Sequence, residues 1–131
     1  MRYCLALDLV DDAAMIADYE RHHDEIWPEI VQSIQSAGID VLDIYRTGNR
    51  LFMIIEANEQ FTFAEKAKAD AANPRVQEWE SLMWKYQQAL PWAKPGEKWI
   101  LMEKIFGLPP GPLRWRGRLK TLRSFAGIIY C

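Results

Sequence analysis

Cysteine is scarce in this chain. Cys4 and Cys131 stand at its two ends, match no metal-ligand spacing and no CxxC motif, and read as free thiols. Histidine is equally rare: His22 and His23 are adjacent, so on a helix they point about 100° apart. No HxxxH or HExxH spacing accompanies them, and no metal site is expected. The chain also lacks GxGxxG, GxxxxGK[ST] and GxSxG, which removes nucleotide cradles and hydrolase elbows. Excess charge of one sign is missing too: 16 Lys+Arg face 18 Asp+Glu, and a formal charge of −2 gives no field to gather nucleic acid. No apolar run approaches the ~18 residues of a membrane span. The opening MRYCLALDLVDD is no secretory h-region, because Asp8 interrupts it. A reducing cytoplasm is the expected compartment, with neither nucleic acid nor membrane as partner.

What is present is a 131-residue chain that is 50% hydrophobic. A single core fits that length, and folding should bury roughly two-thirds of the surface the unfolded chain exposes, without disulfide or metal. Residues 2–10 alternate, with Tyr3, Leu5, Leu7 and Leu9 on one face, and predict a strand. Asp11-Asp12 opens a helical pattern (Met15, Tyr19, Ile26, Ile30) that runs to about Ala37, with Gly38 as its stop. Pro28 interrupts it and disfavours the helical conformation at Trp27, which predicts a kink or a break there. Residues 39–46 and 50–57 flank Thr47-Gly48-Asn49 as a β-hairpin. A second helix, in two segments split at Asn73-Pro74, is expected from Phe63 to Leu90, and residues 98–106 supply a fourth strand.

The resulting order, β-α-β-β-α-β, is the ferredoxin-like α+β arrangement: an antiparallel sheet with both helices on one face. Apolar residues on both faces of the fourth strand (Trp99, Leu101 and Ile105 against Ile100, Met102 and Phe106) predict a covered sheet, and hence a homodimer. Residues 1–106 form this domain and 107–131 a basic extension. The extension holds Arg114, Arg116, Arg118, Lys120 and Arg123 and no acidic residue, which leaves eleven basic residues against all eighteen acidic ones in the first 106. It reads as a solvated tail or as a surface for an anionic partner.

Chemistry-bearing residues concentrate in Tyr19-Glu20-Arg21-His22-His23-Asp24-Glu25-Ile26-Trp27-Pro28. Tyr19 and His23, four apart, lie one above the other on a helix, and a break at Trp27 would open the segment toward a cavity. Periodicity alone does not decide which histidine faces it. On the second helix Trp79 sits in the buried stripe with Met83 and Tyr86. Trp84 lies off the stripe, as a dimer contact or a platform for a sugar ring would.

The segment YERHHDEIWPEI, a Tyr-x3-His-x3-Trp-Pro-Glu pattern, resembles the signature of the L-rhamnose mutarotase family, and the resemblance extends through SAGIDVLDIYRTGNRLFMIIE, NPRVQEWESLMWKY and PGEKW over about residues 1–108. Within the family the chain is most similar to the branch associated with L-fucose. The resemblance implies a dimeric α+β barrel and a cofactor-free isomerase that opens and recloses a 6-deoxy-L-pyranose at its anomeric carbon, L-fucose first and L-rhamnose second. It also implies that His23 is the catalytic histidine, Tyr19 a sugar-binding residue, and Trp79 the first of a tryptophan pair. Two positions depart from the family pattern: Leu42 stands where a hairpin tyrosine is usual, and Glu80 where the second tryptophan is. Glu80 can accept a hydrogen bond from a hydroxyl, and Trp84 or Tyr45 can stand in for what is missing. The contrasting class is a dimeric α+β-barrel module that binds haem or another apolar ligand through His22 or His23.

Overall fold

The structure is a computed structural model and describes residues 1–109. The expectations placed on the basic extension beyond Pro109 fall outside it. Nine elements follow one another: β1 (Arg2–Leu9), α1 (Ala13–Asp24), α2 (Pro28–Ser36), β2 (Ile39–Thr47), β3 (Arg50–Ala57), α3 (Phe63–Ala71), α4 (Pro74–Trp84), β4 (Gln87–Gln88) and β5 (Ile100–Leu101). The sheet order is β2-β3-β1, with β4 and β5 sharing the far edge of β1, and every pairing is antiparallel. This is the ferredoxin-like α+β arrangement read from the sequence.

Local chemistry sets the element ends. The Asp12 side chain accepts from the Met15 N–H at 3.0 Å and caps α1, while Thr62 and Asn73 cap α3 and α4 in the same way. Pro28 and Pro74 occupy the first helical turn, where a missing N–H costs nothing. The break at Trp27 is complete, since that residue is extended and α2 starts anew. At the hairpin Thr47 pairs with Arg50, and Gly48 takes φ +56° as the first residue of a two-residue turn. Gly38 closes α2 at φ +97°, where a Cβ would stand 2.5 Å from Asn58 Oδ1.

Two expectations fail in part. The second helix ends at Trp84 rather than Leu90. The Val10 N–H takes the Tyr86 carbonyl, and Gln87–Gln88 pair with Asp8–Leu9, so β1 supplies the hydrogen bonds a further helical turn would have made. The fourth strand is also shorter than residues 98–106. Only Ile100–Leu101 ladder with Leu5–Ala6, one more bond joins Met102 N–H to Cys4, and Ile105 and Phe106 are exposed.

The core lies between one sheet face and the helices. Tyr3, Leu5, Leu7 and Leu9 of β1 and Leu51, Met53 and Ile55 of β3 are buried against Tyr19, Ile30, Val76, Trp79 and Met83. Each such apolar side chain contributes about 1.5–3 kcal/mol on burial. On the opposite sheet face Cys4, Ala6, Phe52 and Ile54 are half-buried and Val41 and Tyr45 are exposed.

Candidate active site

α1 presents its last two turns to the core beside α4. Tyr19 is 2% exposed, and its ring lies 4.4 Å from that of His23 one turn later. The His23 imidazole meets the buried Trp79 indole edge-on at 5.6 Å, and Trp27, freed by the helix break, meets the same indole at 5.1 Å. Arg75 lies 3.7 Å over the Trp27 ring. Tyr19, His23, Trp27 and Trp79 thus come together. The indole N–H of Trp79 is buried and has no hydrogen-bond partner among the described residues. A donor left this way costs about 1–3 kcal/mol, and a bound hydroxyl would recover it.

His23 stands on the partition between two clefts. One, of about 420 Å³, is mainly apolar, with Ile26, Val31, Ile34, Leu42 and Ile44 in its walls. The other, of about 480 Å³, is the more polar of the two, with Tyr19, Glu20, Asp24, Tyr45 and Arg46 beside Ile44 and Leu51. Leu42 in the first makes apolar the place where the family pattern puts a tyrosine; Tyr45 borders the second, but its ring lies on the other sheet face, 6.5 Å from that of Phe52, and does not stand in for it. The His23 Nδ1 lies 3.0 Å from the Tyr19 carbonyl oxygen. A carbonyl only accepts, so Nδ1 carries the proton and Nε2 is the basic nitrogen of the neutral ring.

His22 faces a different set of partners. Its Nε2 is 3.2 Å from the Tyr86 hydroxyl, which itself donates to Asp18. The phenol has one proton and gives it to the carboxylate, so His22 is the donor in the other bond. The Tyr86 hydrogen bond, then that of Arg21, holds the Asp18 carboxyl below the usual carboxylate range, and the Asp18 bond raises the Tyr86 phenol above its ordinary value. This relay was not legible in the sequence, because Asp18 and Tyr86 are 68 positions apart. Glu20 and Arg46 were missed as cleft residues for the same reason.

Trp27 and Trp79 join His23 through ring contacts without lining either cleft, and Glu80 and Trp84 line neither cleft and lie apart from that cluster. Trp84 Nε1 donates to Glu80 Oε1 at 3.2 Å, and Lys98 Nζ lies 3.8 Å from that oxygen and 4.4 Å over the Trp84 ring. These three residues form a cluster on the other side of α4. Among the described residues no group of three His, Cys, Asp or Glu could hold a metal ion, and no helix is long and apolar enough to cross a membrane.

The sequence profile described as L-rhamnose mutarotase matches residues 2–108. An L-fucose mutarotase of Xanthomonas campestris pv. campestris is 53% identical over 109 residues, which cover 82% of this chain and 87% of that one. Among solved structures, an L-rhamnose mutarotase of Formosa agariphila superposes with a TM-score of 0.61 at 23% identity, over 82% of this chain and 98% of that one. The tetracenomycin F2 cyclase of Streptomyces glaucescens, a type-II polyketide cyclase, superposes with a TM-score of 0.54 at 17% identity, over 86% and 99%. The two structures bear out the fold, that of the α+β barrels. The family match points away from the haem-module reading.

Proposed function

We propose a reaction from a premise the comparisons supply: this chain belongs to the L-rhamnose mutarotase family, isomerases that act on sugar anomers. The reaction is cofactor-free exchange of the α and β anomers of a 6-deoxy-L-sugar, with L-fucose preferred and L-rhamnose second. The preference for L-fucose rests on the relative of that name at 53% identity.

The observation that carries the reading is the place of His23 between an apolar cleft and a more polar one, with its basic nitrogen set by the Nδ1 bond to Tyr19. A 6-deoxy pyranose has the same division, a methyl group on one side and hydroxyls on the other. Opening the ring moves a proton from the anomeric hydroxyl and delivers one to the ring oxygen, and closing on the other face reverses both. No electron or group leaves the sugar, so one imidazole that alternates between base and acid suffices in kind, and such catalysis contributes about 10²–10⁴-fold. Tyr19 walls the site on the polar side, and Trp79, packed against His23 with Trp27 beside it, offers its N–H to a sugar oxygen. Glu80 and Trp84 act on the sugar only through the packing of α4.

The assembly is a homodimer, in which a second copy covers the sheet face that carries Cys4, Ala6, Val41, Tyr45, Phe52 and Ile54. NMR saturation transfer between α- and β-L-fucose tests the activity. Exchange well above the buffer rate is expected at micromolar enzyme; exchange at the buffer rate overturns it.

A further inference from the structure

We propose that Glu20 and Arg46 form a diol clamp on the wall of the polar cleft and select the sugar by its C3 and C4 hydroxyls. The inference rests on the anomer-exchange reading above and adds a specificity element to it.

The pair joins α1 to β2 across 26 positions of sequence. Arg46 Nε donates to Glu20 Oε1 at 2.5 Å, and Arg46 Nη1 donates to the Gly48 carbonyl at 2.8 Å. Two fixed bonds hold the guanidinium plane against the hairpin turn. Its Nη2 and the second carboxylate oxygen of Glu20 have no partner among the described residues. Both side chains share the cleft with Tyr19, His23 and Tyr45. At 37% and 51% exposure the ion pair adds little to stability, so fold energetics do not account for so fixed an arrangement.

A donor beside an acceptor is the complement of two neighbouring hydroxyls. Arginine gives an N–H to one oxygen, and the carboxylate takes the O–H of the next. The ring geometry says which two. His23 must reach the anomeric carbon and the ring oxygen, and the bond opposite that edge of a pyranose joins C3 and C4. Glu20 stands one helical turn before His23 on α1, a separation of about 5–6 Å that matches the width of a pyranose, so a sugar whose reacting edge is at His23 presents its C3 and C4 hydroxyls to the Glu20–Arg46 pair, the part in which epimers differ while the reacting centre stays the same. The apolar cleft then takes the methyl group.

Anomer exchange of L-fucose and of 4-deoxy-L-fucose by the wild type, Arg46→Leu, Arg46→Lys and Glu20→Ala, followed by saturation transfer over a range of sugar concentration, tests the clamp. Loss of one charge-assisted hydrogen bond should raise KM for L-fucose about tenfold in Arg46→Leu and Glu20→Ala while kcat changes less than about threefold. Arg46→Lys, which keeps the charge without the planar fork, should fall between. On 4-deoxy-L-fucose the wild type should already show the higher KM, and one of Arg46→Leu and Glu20→Ala, the one that removes the partner of the C4 hydroxyl, should then match it. Unchanged KM for L-fucose in the folded variants, or equal losses on both sugars in both Arg46→Leu and Glu20→Ala, overturns the clamp and leaves the reaction standing. A wild type that exchanges neither sugar overturns the reaction and the clamp with it. Thermal unfolding of each variant, Arg46→Lys included, separates a folding defect from these outcomes.

Discussion

The imidazole of His23 and the indole of Trp79 meet at 5.6 Å with 70° between their planes, and the Trp79 N–H has no hydrogen-bond partner among the described residues. Replacement of Trp79 by phenylalanine keeps an aromatic edge beside His23 and removes only the donor. KM for L-fucose should then rise about fivefold to tenfold, the worth of one hydrogen bond. Trp79→Ala should cost about 3–5 kcal/mol of stability as well, because it empties a fully buried site. Titration with sugar and thermal unfolding of both variants check this. A Trp79→Phe protein with unaltered KM would show that the donor does not serve the sugar.

The Asp18–Tyr86–His22 relay has a pH signature. The Asp18 carboxyl is held below the usual range, so its contribution to stability is present above about pH 4 and is lost as pH falls through its depressed value. The Tyr86 phenol is raised, so its contribution is present below about pH 10 and is lost as pH rises through its elevated value. Tyr86→Phe should therefore lower the thermal midpoint most between about pH 5 and 9, with the gap to the wild type narrowing at both extremes. A gap that does not vary with pH would contradict the relay.

Lys66 and Asp70 form a buried ion pair, 3% and 1% exposed, with Nζ 2.7 Å from both carboxylate oxygens. Burial, the largest influence on Asp70, pushes its carboxyl up, and Lys66 opposes that shift. Removal of one partner leaves the other buried and unpaired. Asp70→Leu or Lys66→Met alone should cost about 3–5 kcal/mol, and the two together should recover most of it. Denaturant unfolding of the three variants gives the cycle directly.

The open sheet face tests the dimer. Ile54 is half-buried there, opposite Cys4 on β1 and Asp43 on β2. Ile54→Glu should turn a dimeric wild type into a monomer in sedimentation velocity, because a buried carboxylate facing Asp43 is left without an opposite charge and costs several kcal/mol. A wild type that sediments as a monomer at tens of micromolar would contradict the covered face.

Much of this was legible because it is local. The alternation of Tyr3, Leu5, Leu7 and Leu9, the Thr47–Arg50 turn and the proline at position 28 each act within a few residues, and the elements they mark formed where expected. Tyr19 and His23 were legible as an i, i+4 pair for the same reason. What escaped was decided at a distance. Tyr86 and Leu90 continue a helical stripe in spacing, yet β1 draws residues 87–88 into the sheet through the Val10–Tyr86 bond. The His22–Tyr86 bond spans 64 positions and the Arg46–Glu20 bond 26, and neither leaves a pattern in sequence.

One paired measurement bears most directly on the proton-transfer role of His23: L-fucose anomer exchange by His23→Ala and His22→Ala at equal enzyme concentration. The His23 change should lose at least about tenfold, within the range of a missing general acid–base, whereas the His22 change, away from both clefts, should lose much less. Equal losses, or full activity without His23, would contradict it.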